Sequence, residues 1–304
     1  MKGLYKDTPN TIREGDSMRY TAFFSAVILL VLLNSGCLGQ STPADASMTT
    51  STAKPSTAAT TQTTQAPPST TYPPTTVSQA TSTTSAAADA PTPAGEYSPV
   101  INSADYVADV TNPFFPLKPG TKYTFDGTDE GDAEHIEVTV TNETRIILGV
   151  RATQVRDIVY VKGKLEEATL DWYAQDRQGN VWYFGEDSKE YDKGKVVSTK
   201  GSWKAGVDGA EPGIIMEANP AIGDTYRQEY LRGEAEDMAK IVDTNGSATT
   251  EYGQHSGLVV TEEWTPLEPG VTARKYYARD IGVVLEEYVK GAQGRTELTS
   301  ITIE

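Results

Sequence analysis

The chain has 304 residues, 42 Asp and Glu against 26 Lys and Arg, a net charge of −16, two histidines and one cysteine. The excess of acid excludes a nucleic-acid partner, which would need a positive footprint against phosphates. A single cysteine excludes a disulfide framework and a thiolate metal cluster.

From the N-terminus, the first feature is an apolar run, Phe23 to Leu33, in which Ser25 is the sole polar residue. Eleven residues fall short of the roughly 20 that cross a bilayer as a helix. The run fits a signal-peptide core instead, with Arg19 before it and Ser35, Gly36 and Cys37 after it. Gly36-Cys37 resembles the lipoprotein lipobox, in which the thiol receives the lipid. Leu33 stands four residues before the cysteine where that motif prefers three. Cys37 is therefore the expected lipidation site, and the membrane is the expected partner through that anchor. Counted from Met1, the leader carries Asp7, Glu14 and Asp16; counted from Met18 it reads "MRY", which makes Met18 the better start.

Residues 37–96 are expected to form a disordered stalk. Ser41 to Ala90 holds 24 Ser or Thr, with Pro and Ala supplying most of the remainder, too little apolar side chain to offset the entropy of ordering. The bias is that of a mucin-like tether. Stretched at about 3.1 Å per residue, it would hold a domain about 150 Å from the membrane.

The ectodomain runs from 97 to 304, with 21 Lys and Arg against 36 Asp and Glu, a net of −15. Its apolar residues alternate. "HIEVTVT" sets Ile136, Val138 and Val140 on one face, and "QVRDIVYV" sets Val155, Asp157, Val159 and Val161 against Arg156, Ile158 and Tyr160. Period two means strand. Turn signals recur every eight to twelve residues: "DGTDEGD", "VTNET", "VKGK", "QDRQGN", "DKGK", "DTNGS" and "KGAQGR". The expected fold is all-β, antiparallel, with about 11–13 strands.

Four regions repeat at one offset. Gly120 and Gly223, Tyr123 and Tyr226, Asn142 and Asn245, Gly179 and Gly282, and Val181 and Val284 each differ by 103, and Tyr173 and Tyr277 differ by 104. This predicts two similar copies, about 112–200 and 213–304, joined by "KGSWKAGVDGAEPG" and forming a curved sheet, half-barrel or sandwich. A sequon opens at Asn142 and another at Asn245; both are expected at hairpin turns, where an N-linked sugar would be accessible.

"LDWYAQDRQGNVWYFGE", "PGIIMEANPAIGDTYRQEY" and "GEAEDMAKI" resemble recurring segments of an uncharacterised family of secreted proteins and lipoproteins of archaea and bacteria, over about Asn112 to Leu298. That resemblance supplies no catalytic residues. The "YYA" hairpin followed by "IGVV" is similar to a terminal hairpin of half-barrel envelope proteins that carry lipoproteins or lipids.

For function, the sequence favours a non-catalytic cell-surface module with a binding or structural role. Trp172, Tyr173, Trp182, Tyr276 and Tyr277 are the candidates to line an apolar pocket near the seam of the two copies, for a hydrophobic small molecule or another envelope component. No cofactor is implied. His135 and His255 fall at non-equivalent points of the repeat, and no Ser sits in a G-x-S-x-G setting. The alternative is a carboxylate-dependent envelope hydrolase using Glu166 and Asp171. Asp126, Asp129 and Asp132 form a minority candidate for a calcium loop.

Overall fold

A computed structural model describes Tyr97 to Ile303. Cys37, the leader and the stalk lie outside the described residues. Fifteen strands follow one 3-10 turn at Ser103–Asp105: β1 (Thr121–Asp129), β2 (Asp132–Ile147), β3 (Val150–Val161), β4 (Lys164–Gln175), β5 (Val181–Asp192), β6 (Lys195–Ser198), β7 (Trp203–Lys204), β8 (Glu211–Met216), β9 (Thr225–Arg227), β10 (Glu229–Tyr230), β11 (Met238–Thr249), β12 (Gln254–Trp264), β13 (Thr272–Ala278), β14 (Gly282–Lys290) and β15 (Gly294–Ile303). All are antiparallel. Set aside the four pieces of two to four residues, and 11 strands remain, at the lower end of the range the sequence predicts.

One sheet holds them, in the order β10-β8-β5-β4-β3-β2-β1-β15-β14-β13-β12-β11-β9, with β6 and β7 also on the edge of β5. Two meanders, β1 to β5 and β11 to β15, thus meet where β1 pairs with β15, Phe125 opposite Leu298. The far ends of the sheet also meet. Thr225–Arg227 pairs with β11, the Gln228 N–H donates to the Asp237 carbonyl at 2.8 Å, and Glu229–Tyr230 then pairs with β8. A single extended segment therefore links both edges and nearly closes the sheet into a barrel, which removes the exposed edges that an open sheet would present. Gly213 permits the closure: a Cβ there would collide with the backbone of Arg227 and Gln228.

Tight X-Gly turns drive the meanders. Glu130-Gly131, Leu148-Gly149, Lys162-Gly163 and Lys193-Gly194 all have positive φ at both residues, the type I′ geometry whose twist matches that of the flanking strands. The sequons behave differently. Asn142 lies inside β2, where the register slips between Val140 and Thr144, and Asn245 lies inside β11, where it slips between Asp243 and Gly246. Both are exposed bulge residues within strands, not hairpin-turn residues. The bulges stand 103 residues apart. Glycines at that offset have similar backbone angles: Gly120 and Gly223 have φ of 83° and 101°, and their N–H groups donate to the carbonyls of Val140 and Ile241; Gly179 and Gly282 have φ of 102° and 101°.

The segment before β1 straps one mouth of the sheet. Asn112 anchors it, its side-chain amide donating to the carbonyls of Gly179 and Glu217, while the Gln175 Oε1 accepts from the N–H groups of Thr111 and Asn112 at 2.7 Å. Phe114, Phe115 and Leu117 are buried behind it. The "KGSWKAGVDGAEPG" stretch is built into the sheet: Trp203 pairs with Glu186, and its ring meets that of Tyr183 edge-on at 5.2 Å.

Candidate functional site

The inner face of the sheet carries two layers. The first is apolar and lies beneath the strap. Phe115, Leu117, Tyr123, Val138, Val140 and Tyr173, together with Phe125, Val155 and the Ile281–Val283 turn, line a pocket of about 40 Å³, or about 460 Å³ with its open mouth included. Phe115 meets Tyr173 edge-on at 5.2 Å, and Tyr173 stacks on Tyr183 at 4.8 Å.

The second layer is acidic. The inner faces of β2, β3 and β4 carry Glu134, Asp157 and Asp171 among their apolar residues, and all three are buried. Glu186, Glu229, Asp237, Glu263 and Glu286 are buried as well, and Lys275 is the buried cation among them. The Tyr183 hydroxyl lies 2.6 Å from Asp171 and 3.0 Å from Glu186. A phenol carries one proton and can donate to only one of these carboxyls. Lys275 pairs with Glu263 at 3.0 Å and stands 3.9 Å from Glu286. Thr296 donates to Glu134.

Burial without enough cations forces protonation. Glu134 is pushed up to about 9 by desolvation and by Asp129 nearby. Glu286 is raised to about 8 by its burial, against the pull of Lys275, and Glu167 to about 7, again by burial first. Asp157 is driven well above the usual carboxylate range by burial and by Asp171, Glu167 and Glu134. Glu229 and Asp237, at the closing segment, are raised in the same way. For Lys275, burial opposes the charge, but Glu263 and Glu286 more than restore it.

The structure sorts the predicted residues by face. Of the five aromatics, Tyr173 lines the pocket, and Tyr277 is on the inner face, its hydroxyl donating to Glu263 at 3.0 Å. Trp172, Trp182 and Tyr276 point the other way, as alternation demands of neighbouring residues. Trp172 donates to Gln154 beneath the Arg145 guanidinium, Trp182 donates to Asp176, and Tyr276 donates to Glu287. Asp171 is buried in β4, and Glu166 falls at the bulge between Leu165 and Glu167, where it is half-buried. Asp126 is engaged by His135 at 2.7 Å and Thr299 at 2.9 Å, and Asp132 by Lys162 at 2.7 Å; the three aspartates do not converge. Among the described residues no group of three acidic, histidine or cysteine side chains is gathered as a metal centre. His255 lies beside Thr250 and Tyr252. The acidic layer is what sequence reasoning passed over. Its signal was an acid standing inside a valine row, as Asp157 does between Val155 and Val159.

No family model matches the chain, and no curated protein does. Two solved structures are similar to it: a protein of Bacteroides fragilis classed as exported, with a YmcC-like fold, at 17% identity and a TM-score of 0.38, and a protein of Parabacteroides distasonis classed as a lipoprotein, at 13% identity and a TM-score of 0.35. Each comparison covers 62% of this chain and 98% of the other. Among the described residues no helix is long and apolar enough to cross a membrane.

Proposed function

We propose that the chain is an extracytoplasmic, lipid-anchored surface protein whose ectodomain is a non-catalytic binding module for a small hydrophobic group. The observation that carries the binding role is the pocket under the Phe114–Leu117 strap, apolar on almost every wall and open at its mouth. Apolar walls with a few polar tips are the general character of small-molecule sites. The enclosed part of the pocket, about 40 Å³, has room for a methyl-sized group, so a ring or a longer chain would need the strap to lift.

The anchor reading rests on Gly36-Cys37 after the apolar run. Protein made in its native host should partition into detergent, and Cys37→Ser should release it to the medium; a serine variant that stays equally membrane-bound ends that reading. For the pocket, Val140→Phe adds bulk to the wall at a typical overpacking cost of about 1–3 kcal/mol. A folded Val140→Phe protein should lose binding of a neutral aromatic such as 2-phenylethanol, measured by calorimetry. Retention of wild-type affinity would remove the pocket from consideration.

A further inference from the structure

The four X-Gly hairpin turns differ in what they offer to water. Glu130, Lys162 and Lys193 put a charged side chain at the left-handed position, whereas the turn between β2 and β3 puts Leu148 there, at a φ of 50°. A left-handed backbone strains a leucine where asparagine, aspartate or glycine would sit at ease. Leu148 is nevertheless 44% exposed, and Ile146, two residues earlier, is 66% exposed. Leu148 leans over Gly206, and the exposed Val207 beside that glycine extends the apolar surface.

The hairpin also stands clear of the sheet. The ladder of β2 with β1 ends at Thr139, and that of β3 with β4 ends at Thr153. From Thr144 opposite Thr153 to Ile147 opposite Val150, β2 and β3 pair with each other as a two-stranded ribbon. Its charge runs against that of the molecule. Residues 144–153 hold Arg145 and Arg151 and no acid, in an ectodomain of net −15. Arg151 lies directly opposite Ile146 across the ladder. Of the flanking acids, Glu143 accepts from Gln154 at 3.1 Å, and Asp208 follows Val207 in the adjoining loop. At the 103-residue offset of the repeat, Ile146 and Leu148 correspond to Thr249 and Glu251, so the matching hairpin is polar.

We infer that the β2–β3 tip docks into an anionic lipid surface, Ile146 and Leu148 entering at the boundary of headgroups and acyl chains while Arg145 and Arg151 meet the lipid phosphates. Exposed branched side chains flanked by arginine are what such a boundary accepts. An anionic membrane repels the acidic remainder of the ectodomain, which leaves this tip as the part that approaches. The inference goes beyond the proposed function: it depends neither on the pocket nor on Cys37, and it adds a second membrane contact to the anchor.

Vesicle cosedimentation tests it on the whole chain carrying Cys37→Ser, so that no attached lipid contributes. The probes are vesicles of phosphatidylcholine alone and of an equal mixture with phosphatidylglycerol. The protein should bind the mixed vesicles about tenfold or more tightly than the neutral ones, each arginine near such a surface being worth about fivefold, and molar salt should remove the difference. Ile146→Thr combined with Leu148→Asn should weaken binding to the mixed vesicles by about tenfold or more, since two branched side chains no longer leave water. Its melting temperature should hold or rise, because asparagine accepts the left-handed turn. Arg151→Gln alone, at an exposed position, should reduce the preference for the mixed vesicles by about fivefold. Failure of the Cys37→Ser chain to bind the mixed vesicles, or binding that both variants retain in full, overturns the inference. A dimer in sedimentation velocity that the double variant dissolves, with no vesicle binding, also overturns it and assigns the tip to a second copy of the chain.

Discussion

The two meanders put different charges at one matched position. At the 104-residue offset that relates Tyr173 to Tyr277, Asp171 corresponds to Lys275. In the second meander Lys275 sits between Glu263 and Glu286, and Tyr277 donates to Glu263. In the first, Asp171 and Glu186 both lie within hydrogen-bond reach of the Tyr183 hydroxyl. Glu263 thus meets a cation, whereas Glu286 in the same meander and Glu134 and Asp157 in the other are raised towards their protonated forms. The same sheet geometry tolerates both because a protonated carboxyl and an ion-paired carboxylate are alternative ways to remove an isolated charge from low dielectric.

The comparison breaks most severely at Lys275. Lys275→Met should destabilise the protein by about 3–5 kcal/mol, because it leaves Glu263 and Glu286 buried beside each other without their cation. The loss should be greater at alkaline than at acid pH, where protons replace the lysine. Denaturant unfolding at two pH values measures both. A variant as stable as the wild type would mean that the pair is not buried as described.

A second test concerns closure. Gly213→Val should cost about 1–3 kcal/mol, since the new side chain has to displace the Arg227–Gln228 backbone and separate β8 from the segment that joins it to β11. Faster amide exchange confined to Glu211–Met216 and Thr225–Tyr230 would mark the seam. Exchange unchanged there would show that the two edges do not depend on each other.

The pH dependence sharpens the contrast with a smaller effect. Glu134 holds its proton up to about 9 in the folded chain against an ordinary value of 4.5. Between those values the folded state binds more protons than the unfolded state, so stability falls as pH rises from about 4.5 towards about 9. Glu286 and Glu167 act in the same direction up to about 8 and about 7. Melting should be several degrees higher at pH 5 than at pH 9, and Glu134→Gln should flatten the upper part of that slope. The smallest effect is expected at the sequons: in a glycosylating host Asn142 and Asn245 are exposed enough to carry sugar, and peptide mapping reads this directly.

Much of the fold was legible in local pattern. The alternation in "HIEVTVT" and "QVRDIVYV" became β2 and β3, and Lys162-Gly163 and Lys193-Gly194 turned where X-Gly signals a hairpin. The same logic misplaced Asn245-Gly246, the strongest type I′ dipeptide in the chain. Pairing with β12 continues on both sides of it, so the strand absorbs the two residues as a bulge, and Asn142 does the same in β2. The site was less legible for a related reason. An acid in a strand ordinarily marks the solvated face, and only the curling of the whole sheet, which needs the distant β1–β15 pairing as well as the link at its edges, turns the face of Glu134, Asp157 and Asp171 inward. Trp172, Trp182 and Tyr276 show the reverse: aromatic bulk suggested the pocket face, whereas their parity along the strand turns them to the other face, where Trp172 is buried beneath Arg145.

The most direct measurement is the infrared carbonyl band of protonated carboxylic acids at neutral pH, recorded for the wild type, Glu134→Gln and Asp157→Asn. Buried acids neutralised by protons should give a carboxylic-acid band in the wild type that each substitution diminishes and that disappears at strongly alkaline pH. A spectrum containing only ionised carboxylates at neutral pH, unchanged in both variants, would contradict an interior whose buried acids are neutralised by protons.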